Sequence, residues 1–489
     1  MEIQTPDWVK QAVFYQIFPD RFAKSPPAQP TTFASQPGGG WLPDKLEPWD
    51  APPTLQGYKG GNLWGILEKL DYLEDLGINA IYFTPIFQSA CNHRYHTHDY
   101  YQVDPILGGN EAFMAFLNAA HDRNIKVVLD GVFNHASRGF FFFNDILENG
   151  PHSPWLDWFT IQDWPLSAYD GSKPANYIGW ADNRSLPEFN HHNPAAREYI
   201  MQVAEYWLQQ GIDGWRLDVP FCITAPGFWQ EFRQRVKAIN PEAYIVGEVW
   251  TDSRQWLDGT QFDGVMNYLF TGPTIAFTAG DRVNMKLVEH HDYYPYPALD
   301  AAGYAQKIQD LLELYPWEIQ LTQLNLLDSH DTARLLTICG EDFATVELAT
   351  VLLMTSVGAP SIYYGDEVGL PGGDDPDCRR GFPAESQWNQ AVLDYHKQLI
   401  KIRRDRPALQ TGKYEILGSQ GMVYLFARTL PQETIIVGMN SGTESAIATF
   451  KVPFELQAKH KLYGSGEVAW QENEVTLTLP SRSAMILGS

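Results

Sequence analysis

The sequence predicts an α/β fold: a (β/α)8 TIM barrel with an inserted subdomain after its third strand and a C-terminal antiparallel β-sandwich. Short apolar runs alternate with helix-period segments as far as residue 405, and eight of those runs read as strands. Polar residues recur where the runs end. Beyond residue 406 the period changes to short alternating strands separated by turn residues.

The elements follow in order. "AVFYQIF" (12–18) is the first strand, and a Pro/Gly-rich stretch follows to about residue 60. The helix-like "WGILEKLDYLEDLG" precedes the strand "INAIYFTPIF" (78–87), and "EAFMAFLNAAHDRN" precedes "IKVVLDGVFNH" (125–135). "REYIMQVAEYWLQQG" leads into "IDGWRLDVP", and "PGFWQEFRQRVKAIN" into "AYIVGEVW" (243–250). "QFDGVMNYLF" (261–270), "LTQLNLLDSHD" (321–331) and "GAPSIYYGDEV" (358–368) complete the eight. Residues 136–190 are aromatic, polar and weakly periodic, which reads as an insertion. The expected division is therefore barrel at 1–135 and 191–405, inserted subdomain at 136–190, and C-terminal β domain at 406–489.

Composition narrows the function. With 35 Lys and Arg against 59 Asp and Glu, the net charge of −24 repels phosphate backbones and anionic membrane surfaces. Nucleic acid and membrane partners are not expected. The 16 Trp and 24 Tyr suit sugars, whose apolar ring faces stack on aromatic ones. The first residues lack a basic start followed by an apolar run, and no window approaches the 18 apolar residues of a membrane span. Four cysteines without CxxC spacing argue against a disulfide frame or a zinc site. A cytoplasmic protein is expected.

In such barrels the reactive groups sit at the C-terminal ends of the strands. Here the third run ends in Asp130, Asn134 and His135, the fourth in Arg216 and Asp218, the fifth in Glu248 and Trp250, and the seventh in His330 and Asp331. Arg216 and Asp218, two apart on a strand, share a face. Alone they read first as a structural salt bridge, but beside a second carboxylate Arg216 is expected to hold Asp218 as the anion that a nucleophile needs. Glu248 follows the apolar "YIVG", where burial raises a carboxyl pKa. Two carboxylates in unlike environments are what glycoside hydrolysis requires, one to attack and one to give a proton.

"DGVFNH", "GWRLDVP", "GEVW" and "LDSHD" resemble the four shared segments of the α-amylase family of glycoside hydrolases in order and spacing. The resemblance implies Asp218 as nucleophile, Glu248 as acid/base and Asp331 as transition-state stabiliser. It makes Arg216, His135 and His330 ligands of the sugar at the cleavage point. "THDYY" is similar to the family's stacking segment, implying Tyr100 as platform with Asp99 beside it. "GGDDPDCRR" implies that Asp375 and Arg379 bind the next sugar, and Trp250 suits the acceptor side. A narrower likeness is to neopullulanases, cyclomaltodextrinases and maltogenic amylases, and within that group to cyanobacterial debranching enzymes. It implies a retaining hydrolase of α-1,6 branch and α-1,4 bonds in maltooligosaccharides, branched or cyclic dextrins and pullulan. An α-glucan transglycosylase using the same residues is the alternative.

Departures from the group refine the expectations. Its N-terminal β-domain has no counterpart here, so a monomer or weak homodimer is expected. The cleft should then be open, walled by the 136–190 insertion and Trp250, and suited to long branches; the Phe140–Phe143 run reads first as core and otherwise as part of that wall. "KSPPAQPTTFASQPGGG" replaces the group's calcium loop, and Phe221 and Cys222 replace a Lys-His pair. No metal or cofactor is expected. His93, His96 and His98 read as substrate contacts or a surface loop, and the Gly pairs lack a phosphate-loop pattern.

Overall fold

The computed structural model describes residues 3–25, 45–291, 297–453, 456 and 458–489. The replaced calcium loop therefore lies, from residue 26 onward, outside the described residues. The barrel strands are β1 (Phe14–Ile17), β2 (Ala80–Phe83), β3 (Lys126–Gly131), β4 (Gly214–Leu217), β5 (Tyr244–Gly247), β6 (Gly264–Val265), β7 (Leu324–Asn325) and β8 (Ala359–Tyr363). They pair in parallel in the order β6-β5-β4-β3-β2-β1-β8-β7. Apart from Lys126, their residues are buried, as expected of a parallel sheet covered on both faces.

Local chemistry explains the elements. The helix Pro194–Gln210 starts where Asn193 accepts hydrogen bonds from the Ala195 and Ala196 amides, with Pro194 in its first turn, and it stops at Gly211 with φ 106°. Gly214 then lets β4 lie close against β5, since a Cβ there would meet the Tyr244 carbonyl at 2.3 Å. The sixth and seventh strands are shorter than the apolar runs suggested. The run at 261–270 turns into the helix Tyr268–Thr278, and only Leu324–Asn325 of 321–331 is strand.

One backbone bridge and several side chains close the barrel at this point. Asn267 N donates to Leu324 O (2.8 Å), Thr322 Oγ1 to Asp263 O (2.7 Å) and Asn267 Nδ2 to Asn325 Oδ1 (2.8 Å). The Val265 amide donates to Gln323 Oε1 (3.0 Å).

Residues 413–488 form two antiparallel sheets of five and three strands, with Val423, Leu425, Ile436, Leu477 and Met485 packed in a separate core. A fully buried arginine, Arg428, joins this unit to the barrel, and the equally buried Arg403 of the barrel helix Gln390–Asp405 meets the same turn. Arg428 Nη1 donates to Thr355 O (2.9 Å) and Ser356 O (2.8 Å), and Arg403 to Ser356 O (2.9 Å) and Gly358 O (2.7 Å). These carbonyls end the helix Phe343–Thr355 and lead into β8, where a cation also complements the helix dipole.

Candidate active site

The strand ends bring four carboxylates together. Asp130 lies in β3, Asp218 and Glu248 directly follow β4 and β5, and Asp331 sits in the turn beyond β7. Arg216, fully buried in β4, lies beneath three of them. Its Nη1 donates to Asp130 (2.9 and 3.0 Å) and to Asp218 Oδ1 (3.1 Å). Its Nη2 lies 3.0 Å from Glu248 Oε2, outside hydrogen-bonding alignment. Val219 adopts φ 36°, a costly left-handed conformation for a β-branched residue, and its amide donates to Glu248 Oε2 (3.1 Å). Trp250 Nε1 donates to Glu248 Oε1 (3.1 Å).

One cation does not hold three buried carboxylates ionised. Burial pushes Asp218 well above the usual carboxylate range, Glu248 adds to the rise, and Arg216 opposes it. Burial also raises Glu248, against Arg216, and lifts Asp130 to about 7. Desolvation thus opposes the hold that Arg216 is expected to keep on the Asp218 anion. The carboxylates titrate as a coupled group whose hold on protons burial strengthens.

The aromatic platform differs from the expected one. Tyr100 is buried, its hydroxyl donating to Val132 O (2.9 Å) and His135 O (2.7 Å), so it serves the core. Asp99 accepts from the Tyr101 amide and does not line the cleft. Tyr95 takes the expected place. Its ring lies parallel to His330, and its hydroxyl contacts Asp130 Oδ2 (3.1 Å) and His330 Nε2 (2.5 Å). The chain is turned there by Arg94 at φ 61°, whose buried guanidinium pairs with Asp104 (2.9 Å).

His330 is buried below this ring, with Nδ1 against Gln16 Nε2 (2.7 Å), so neither it nor Arg216 reaches the cleft surface directly. His135 does, its buried Nε2 lacking a protein partner. Burial lowers His135 to about 3, which leaves it neutral. Arg379 pairs with Asp375 (2.9 Å), lies 3.5 Å from Asp331 and donates to His330 O (2.9 Å).

A family model described as alpha amylase, catalytic domain, matches residues 16–390, and one described as alpha-amylase C-terminal domain matches 412–487. This chain belongs to the α-amylase family. Neopullulanase 2 of Thermoactinomyces vulgaris is 39% identical over 99% of this chain and 78% of its own length. The crystal structure of the debranching enzyme from Nostoc punctiforme is 68% identical, with a TM-score of 0.93 and full coverage of both chains. Cyclic alpha-maltosyl-(1→6)-maltose hydrolase from Arthrobacter globiformis is 34% identical, with a TM-score of 0.86 and full coverage of both chains. The chain is thus a glycoside hydrolase of the α-amylase family.

In this α-amylase family member the carboxylates Asp218, Glu248 and Asp331 open into a cleft of about 1080 Å³, also lined by Asp375 and Arg379. The 136–190 segment supplies Arg138, Tyr169, Trp180 and Leu186 to its wall. Sequence reasoning singled out none of these four. The Phe run does not line the cleft: Phe140 and Phe143 are buried, Phe142 stacks on Trp155, and Phe141 is exposed. Trp250 stacks on Tyr268, ring centroids 3.9 Å apart, at the side of Glu248. The family's calcium does not fit the described residues near Asn134. Asn134 Oδ1 is one orphaned oxygen where that ion wants six to eight, and Cys222 presents a thiol that burial raises to about 11. Among the described residues no helix is long and apolar enough to cross a membrane.

Proposed function

We propose that this chain is a retaining α-glucan hydrolase acting on α-1,6 branches and on α-1,4 bonds. The observation that carries this reading is the meeting of Asp218, Glu248 and Asp331 at one cleft above Arg216. A carboxylate oxygen of Asp218 attacks the anomeric carbon while Glu248 gives its proton to the departing glycosidic oxygen. Positive charge developing on the sugar favours the ionised form of Asp218, which leaves the shared proton to Glu248. Water then gives its proton back to Glu248 and its hydroxyl to the anomeric carbon, releasing Asp218. Asp331 steadies the oxocarbenium-like charge, Tyr95 supplies the platform, His135 offers a neutral donor, and Asp375 and Arg379 hold the neighbouring sugar.

The branch assignment draws on the relatives, whose names include a debranching enzyme and a hydrolase of an α-1,6-linked ring. Asp218→Asn should cost at least roughly 10³-fold in kcat with the fold intact, because the covalent route is lost. Near-normal turnover would overturn the nucleophile. On cyclodextrin bearing a long maltosyl branch, the linear branch should be released before the ring opens. Ring opening first would overturn the branch preference. Early accumulation of larger oligosaccharides from maltotriose would mark a transglycosylase instead.

A further inference from the structure

Folding draws Cys91, His93 and His96 into a group whose ligand atoms all lie within 4.8 Å of one another. The sequence expectation set His93, His96 and His98 together as sugar contacts or loop, and read no zinc site from the cysteines. His98 stands apart from the group, and Cys91 joins it. Cys91 Sγ lies 3.5 Å from His93 Nδ1, and the two imidazoles meet edge to face with centroids 5.2 Å apart. The loop is held in place. Arg94 pairs with Asp104 (2.9 Å), Ser89 Oγ donates to His96 O (2.8 Å), and Asn92 Nδ2 donates to Gly57 O (2.8 Å).

All three side chains line the cleft that also contains Asp331 and Arg379. Around a tetrahedral zinc with bonds of about 2.0–2.3 Å, ligand atoms sit roughly 3.3–3.8 Å apart, so modest side-chain closure suffices. One thiolate and two imidazoles form a set that favours a borderline-soft cation over calcium or magnesium.

We propose that Cys91, His93 and His96 form a site for such a cation, zinc foremost, and that the bound ion blocks substrate entry. On binding, the Cys91 thiol releases its proton to solvent, and the fourth position is left to water. The blocking half rests on the cleft being the glucan site; the binding half does not, and it is read without substrate.

Zinc chloride titrated calorimetrically into the full-length, chelator-stripped protein should bind this site, and Cys91→Ser and His96→Gln should each weaken that binding by at least about tenfold. Cobalt(II) should give a thiolate-to-metal charge-transfer band that is absent from Cys91→Ser. This distinguishes the site from the exposed group His290, His291 and Asp374, which has no sulfur. With substrate present, zinc should raise the apparent KM without changing kcat, chelator should reverse the effect, and the zinc sensitivity of each variant should fall relative to its own zinc-free rate. Wild-type-like zinc affinity in both variants, or absence of the cobalt band, would overturn the site. Inhibition undiminished in Cys91→Ser would overturn the blocking.

Discussion

Tyr95 and Tyr100 share one short stretch of sequence and do opposite work. Tyr95 presents its ring to the cleft, and Tyr100 spends both hydroxyl contacts inside the barrel. Tyr95→Ala should therefore lower kcat/KM by roughly 10²-fold through lost sugar placement, with unfolding by urea nearly unchanged. Tyr95→Phe should lose less, keeping the platform. Tyr100→Ala should instead cost about 3–5 kcal/mol in urea unfolding, as a buried aromatic removed from a packed core does. Reversed outcomes would restore the original assignment. Asp130 adds a pH signature. Its carboxyl, ordinarily at 3.8, is raised to about 7 in the folded chain, so the folded state binds the proton more tightly than the unfolded one. Its contribution favours folding below the unfolded value and is lost as pH rises through about 7. In Asp130→Asn that dependence disappears, so the variant's Tm relative to wild type should rise from about pH 5 to about pH 8. Its acid activity limb should also move to lower pH, since a charge that pushes the nucleophile Asp218 up is gone.

At the level of elements, legibility followed periodicity. The first five strands and the eighth lie inside their apolar runs, because a strand buried on both faces needs uninterrupted apolar residues. The strand-end rule then located Asp130, Asp218 and Glu248. The sixth and seventh strands were over-read, since Leu269, Phe270 and Leu326 are apolar for helix and turn packing as well as for strands. Loop residues obey no period. Tyr95, Arg138 and Trp180 reach the cleft through turns set by single conformations such as Arg94 at φ 61°. In "NHRYHTHDYY" the signal was available in part. The pattern from Thr97 to Val103 buries Tyr100, which left Tyr95 as the tyrosine free to reach the cleft.

For the whole molecule, the joint between barrel and C-terminal sheets is built from arginine and backbone oxygen. Arg428 spans it, giving its protons to the Thr355, Ser356 and Gly412 carbonyls. Arg428→Met should leave those acceptors dry and unpaired at a cost on the order of 3 kcal/mol, measured by urea unfolding. Arg428→Lys should recover part of it. An unchanged midpoint in the methionine variant would mean that apolar packing alone carries the joint.

The side-chain closure between β6 and β7 makes the barrel a ring with a clasp. Elsewhere its strands are zipped by ladders, but here two-residue strands are latched by a single backbone bridge, Met266 to Leu324, and by Gln323, Thr322, Asn267 and Asn325. A ring opens at its clasp. Amide protons of Val265 and Asn267 should exchange with deuterium before those of β1 to β5, at a free energy well short of global unfolding. Gln323→Met, which removes the acceptor for the Val265 amide, should hasten exchange there and leave β3 unaltered. Because Tyr268 directly follows the clasp and supports Trp250 beside Glu248, each such opening loosens the ring that holds Glu248. The enzyme would then lose turnover on warming before its far-ultraviolet circular dichroism changes.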